Sequence, residues 1–243
     1  MTRPWLQGIA VVFLSASLTA QIQTPTLKIY LYDDAGVSAK IVLQAKDRAT
    51  EVLRQAGVIT KWYDCSPKTA SASGCEGSLE SDAISVRTRR DTGQIGEGIF
   101  GAAFLGNDGH GQYADIFFDR IRRLSEDSEV SLPDLFGYVV AHEIGHLLLG
   151  PKAHTWLGIM KASWRHEQLG KIQRGELRFS DKESKAMRER LVAVSSAGSV
   201  GIGDKRDVIC ESRIETVAVD WTPFSSPNEP ETNHCHTESK ANP

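Results

Sequence analysis

Residues 131–150, SLPDLFGYVVAHEIGHLLLG, limit what this chain can fold into more than any other stretch. Ser131 stands where a helix N-cap belongs, Asp134 follows three residues later, and Pro133 falls in the first turn, where its missing N–H does no harm. Gly150 is a natural stop. A capped, amphipathic helix is therefore expected, with His142 and His146 four residues apart and Glu143 between them. Positions i and i+4 lie one above the other on a helix, so the two imidazoles can aim at one point in space.

That arrangement suits a tetrahedral cation. Neutral imidazole binds Zn²⁺ at ~2.0–2.1 Å, and a carboxylate projecting beside the metal can hydrogen-bond a bound water. The pattern makes His142 and His146 ligands and Glu143 the general base that takes a proton from the zinc-bound water and delivers it to a leaving amine. The plainer reading is two half-buried helix histidines bonded to backbone or carboxylates, with Glu143 on a solvated face. It leaves the third histidine, His154, and Met160 just past the helix end without a role.

Upstream, TLKIYLYD (26–33) reads as a strand, and VSAKIVLQAKDRATEVLRQAGV as a helix closed by Gly57. ITKWYDC and DAISVRTR read as two more strands around a loop, SPKTASASGCEGS. Glycines then leave room for a short strand at Phe100–Leu105, expected at a sheet edge, before a strong strand YADIFFDRI (113–121). Downstream, a last helix is expected from Ser180, whose hydroxyl can cap while Glu183 reciprocates. From about Ser195 the pattern fails, and residues 196–243 read as an irregular extension with at most a short strand at IETVAV.

HEIGH…G…H…GIM resembles the metzincin clan of zinc metallopeptidases, which carry HExxHxxGxxH followed by a Met-containing turn. The likeness runs over residues 26–192, because strand–helix–strand–strand–edge strand–strand–helix is the order of that clan's N-terminal part. It implies an α+β, metzincin-like zincin fold with a mixed twisted sheet, an antiparallel edge strand, an active-site helix and a C-terminal helix. It further implies His154 as third ligand, Met160 in the Met-turn, one zinc per chain, and pairing of an extended peptide or protein substrate with the strand at Phe100–Leu105. The spacing departs from the clan's: Gly150 comes one residue late and His154 two. Gly150 and Gly158 permit the bends that would bring His154 back to the metal and carry Met160 beneath it as an apolar floor.

Two rivals remain. In a gluzincin-like hydrolase, Glu167, Glu176 or Glu183 would replace His154 as ligand. A non-catalytic exported zinc-binding protein would need a fourth protein ligand, which the sequence does not obviously supply. His110 is a lesser candidate for a substrate loop or second metal, and His166 for oxyanion donation. Trp156 and Trp164 read as packing residues around the turn, and NHCHTE near the C-terminus as solvated tail.

A formal charge of −3 gives no basic excess, so nucleic acid is not expected as a partner. Residues 1–20, with Arg3, an apolar run from Leu6 to Leu14 and small residues ending at Ala20, read as a cleavable secretory signal ahead of a metallopeptidase domain at 21–195. The run is too short to span a bilayer, so stable membrane association is not expected. Little would precede the first strand after cleavage, so no folded propeptide is expected; nothing in the sequence specifies an oligomeric state. A secreted or periplasmic location makes disulfides possible. Cys65–Cys75 and Cys210–Cys235 are the preferred pairs, because each closes a short loop rich in small or turn-forming residues.

Overall fold

The computed structural model describes residues 26–65, 75, 79–90, 98–106, 109–197 and, for the backbone alone, 213–218. The expected signal, most of the 66–78 loop, the Cys210–Cys235 pair and NHCHTE lie outside them.

Strand β1 (Thr26–Asp33) leads into helix α1 (Ala39–Gln55), capped by the Ser38 hydroxyl, and then β2 (Ile59–Asp64), β3 (Ala83–Arg89) and β4 (Ile99–Leu105). β5 (Tyr113–Phe117), α2 (Phe118–Asp127), α3 (Leu132–Leu149), α4 (His166–Gln173), α5 (Asp181–Ala197) and β6 (Arg213–Ala218) follow. The strands form one mixed sheet in the order β2-β1-β3-β5-β4-β6. β1, β2, β3 and β5 are parallel, and β4 is antiparallel to both β5 and β6. An α+β architecture results.

Alternation along β1 separates the two faces of the sheet. Leu27, Ile29 and Leu31 enter the main core under the helices, while Tyr30 packs on the other face with Cys65, Ala83 and the stacked ring of Tyr63. There the Cys65–Cys75 disulfide, with Cα atoms 5.5 Å apart, and the Tyr32 hydroxyl donating to the Cys75 carbonyl tie the loop after β2 to the sheet.

Helix α3 sits at the centre of the helical layer and touches α1, α2, α4, α5, β4, β5 and β6. Every residue from Leu135 to Leu148 is buried, so the helix is enclosed on all faces rather than amphipathic. Its start is as expected: the Asp134 N–H donates to Ser131 Oγ, and Asp134 also takes a hydrogen bond of 2.6 Å from Arg48 of α1. Gly137 allows the two helices to approach closely, since a Cβ there would stand 2.7 Å from the Ala45 carbonyl and from Arg48 Cβ.

Two other expectations are corrected. The strand expected over 113–121 stops at Phe117, because Phe118, Ile121 and Leu124 recur at helical spacing and bury one side of α2 while Arg122, Arg123 and Glu126 face outward. β4 is not the edge strand: β6, from the C-terminal extension, pairs along its outer side in the register Ala102↔Thr216 and Leu105↔Arg213. Helix α4 had no sequence signal, being eight residues long and opened by Arg165, a poor N-cap whose N–H is satisfied by Gln168.

The short loop closed by Cys65–Cys75, a separation of 10 residues, implies a stabilisation of about 3 kcal/mol in the chain-entropy model. Replacing both cysteines by serine is expected to lower the unfolding free energy by that order in urea titration. Unchanged stability would mean that the loop stays tethered without the bond.

Candidate metal centre

Helix α3 places His142 and His146 one turn apart, and both side chains are fully buried. After Leu149 the chain reverses at Gly150, whose φ of 83° is open to glycine and strained for other residues. A Cβ there would also stand 2.8 Å from the Gly109 carbonyl. Four residues later His154 comes back against the helix. Its Nε2 lies 3.1 Å from His146 Nε2, which lies 3.0 Å from His142 Nε2.

The potential ligand atoms of the three residues all fall within 4.8 Å of one another, so the group could hold a metal ion. Tetrahedral ligation at ~2.0–2.1 Å separates neighbouring nitrogens by roughly 3.3 Å, close to the spacing here. Hydrogen bonding alone serves this cluster badly. A ring nitrogen carries either one proton or one lone pair, so His146 Nε2 cannot bond well to both neighbours. A central cation satisfies all three nitrogens.

The surroundings orient the rings. His142 Nδ1 is 2.6 Å from the Ile159 carbonyl, to which it donates, leaving Nε2 with its lone pair towards the cluster. Trp164, fully buried, donates its indole N–H to the same carbonyl and meets the His142 ring edge-on at 5.6 Å. The turn carrying His154 is closed by the Thr155 N–H donating to the Met160 carbonyl and anchored by Ile159 N–H to the Arg178 carbonyl. Glu183 caps α5 through the Ser180 N–H with one oxygen and accepts from the Thr155 hydroxyl with the other, at 2.9 Å. These supports were not anticipated; only the Ser180–Glu183 cap had a sequence signal.

Met160 is buried against α3 at Gly145, where a Cβ would stand 2.5 Å from its sulfur. Glu143 is fully buried beside β4 and lies outside the three-histidine group. The rival carboxylates are occupied elsewhere: Glu167 pairs with Lys171, Glu176 with Arg174, and Glu183 with Thr155. His110 lies at the far end of α3 by Gly150, and His166 is exposed on α4 beside a cavity bordered by Glu126 and Val130. Trp156 does not pack around the turn as expected. It is 92% exposed, next to Leu157 at 72%, because the bend at Gly158 turns Ile159 and Met160 inward and leaves the preceding residues at its tip.

No protein-family model and no curated protein matches the chain. Among solved structures, archaemetzincin from Methanopyrus kandleri is similar at 17% identity and a TM-score of 0.39, over 69% of this chain and 96% of that one. The overlap is loose, and the reading of the centre rests on its side chains. No helix of the described residues is long and apolar enough to cross a membrane.

Burial disfavours the imidazolium of His142 and holds its pKa down at about 3, with the Ile159 carbonyl opposing and His154 adding to the shift. His146 is lowered in the same way by burial and by its two histidine neighbours. Neutral rings are the form that binds metal. In the unfolded chain both return to about 6.5, so between pH 6.5 and 3 that state binds more protons and stability falls with pH. The metal-free chain is therefore expected to show a lower urea midpoint at pH 5 than at pH 7, with a smaller drop when His142 is replaced by Asn. A flat midpoint in the unsubstituted chain would mean that the rings are solvated.

Proposed function

We propose that this chain is a secreted zinc-dependent endopeptidase of metzincin type. His142, His146 and His154 hold one zinc, Met160 forms the floor of the site and Glu143 is the general base. The observation that carries the reading is the convergence of three imidazoles with a buried carboxylate on the same helix that stays out of the ligand group. Three protein ligands leave a coordination position for chemistry, which favours catalysis over the structural zinc of a binding protein. The engagement of Glu167, Glu176 and Glu183 elsewhere speaks against a carboxylate as third ligand. Export is supported by the Cys65–Cys75 bond.

Zinc, when bound, supplies Lewis acidity that lowers the pKa of a water towards ~7 and favours a developing oxyanion. Glu143 accepts the proton that the attacking water gives up and passes it to the leaving amine nitrogen. The Ile159 carbonyl keeps His142 in the ligand tautomer, and the Glu183–Thr155 bond holds the backbone next to His154. Both spare the site reorganisation during reaction.

The test is zinc content beside peptide hydrolysis, read by mass spectrometry on a diverse peptide mixture with and without a chelator. Glu143→Ala is expected to keep about one zinc per chain and lose turnover by at least a hundredfold. His154→Ala is expected to lose the zinc. Tight zinc binding in His154→Ala, with loss in a Glu167 or Glu176 variant, would move the assignment to the carboxylate-liganded class.

An extended peptide pairing with β4 would meet β6 already there. In this reading the substrate displaces β6 from the outer side of β4. Of two consecutive strand residues one aims its N–H at the neighbouring strand, so prolines at both Thr216 and Val217 must remove a ladder bond. The Thr216→Pro/Val217→Pro chain is expected to cleave peptides with a kcat/KM several-fold higher. A fall instead would make β6 part of the working sheet.

A further inference from the structure

Glycine is a poor residue for the interior of a strand: it has no side chain to pack and loses the most conformational freedom on ordering. Gly101 nevertheless sits inside β4, in register with Ile116 of β5 on one side and Val217 of β6 on the other. A Cβ at this position would stand 2.5 Å from Glu143 Oε1, 2.6 Å from its Cγ and 2.7 Å from its Cδ. All three distances are well inside van der Waals contact, so the volume of the missing side chain is filled by the length of the glutamate. Glu143 is fully buried and cannot swing into solvent to make room. The β4–β6 register also shifts between Ile99 and Gly101, so the strand is irregular where the carboxylate lies against it.

We propose that Gly101 is the positioning residue for Glu143: by lacking a side chain, it opens the seat on β4 that holds the carboxylate in place. The helix alone sets only the direction in which Glu143 leaves α3, and the strand sets where its carboxylate comes to rest. The catalytic consequence depends on Glu143 acting as proposed above. The steric coupling of the two residues does not.

The test is a double-mutant cycle on the full chain: wild type, Gly101→Ala, Glu143→Ala and the double variant, compared by thermal melting, zinc content and peptide turnover. Gly101→Ala is expected to lower Tm by several degrees when Glu143 is present, and to leave it unchanged or raised when Glu143 is Ala. Zinc content should stay at the wild-type level while kcat falls at least tenfold with KM little changed. If Gly101→Ala does not fold, a folded double variant supports the seat, and a double variant that also fails overturns it. An equal drop in Tm in both backgrounds, or a Gly101→Ala chain with wild-type Tm and kcat, would overturn it as well. The melting arm reads the coupling even in a chain that cleaves no peptide, so failure of the peptidase reading is distinguishable from failure of this one.

Discussion

An α-helix buried on every face and carrying His142, Glu143 and His146 sets the terms for the rest of the molecule. Ionisable groups taken out of water are costly unless their neighbours satisfy them or they shed their charge. Both histidines resolve the conflict by staying neutral, and their nitrogens then converge with that of His154 in a group that hydrogen bonds cannot complete. Enclosure by apolar neighbours thus prepares the rings in the form a metal requires.

Enclosure also demands close approach. Gly137 lets α1 come near the helix, Gly145 receives the Met160 side chain, and Gly101 on β4 leaves space for Glu143. A glycine in a helix interior costs roughly 1 kcal/mol relative to alanine. The two in α3 are retained where a single methyl group would meet a carbonyl or a sulfur. The turn after α3 is pinned from outside the motif, by Arg178, Glu183 and the Trp164 indole. Precision at the centre therefore comes from segments up to some thirty residues further along the chain.

The sheet adds a second asymmetry. β4 runs against the parallel strands and passes the carboxylate of α3, so its outer edge is the natural place for another extended segment. A strand of this chain takes that place. An unpaired edge is also a hazard for association, and covering it is one way to suppress that hazard.

Local features of the sequence determined the elements that rely on short-range physics. The Ser131 and Ser180 caps, the stop at Gly150, the alternation in β1 and the i, i+4 spacing of the histidines all act within a few residues, and all appear in the structure. The nearness of Cys65 and Cys75 was legible for the same reason. Tertiary structure decided the remainder. Phe118 and Ile121 are as compatible with a strand as with a helix until the core claims one side of them. Which carbonyl orients His142, what holds the turn at Thr155 and where Glu143 rests depend on residues 17, 28 and about forty positions away. The strand on the outer side of β4 lies more than a hundred residues further along. No periodicity encodes such meetings, because they are set by how whole elements pack.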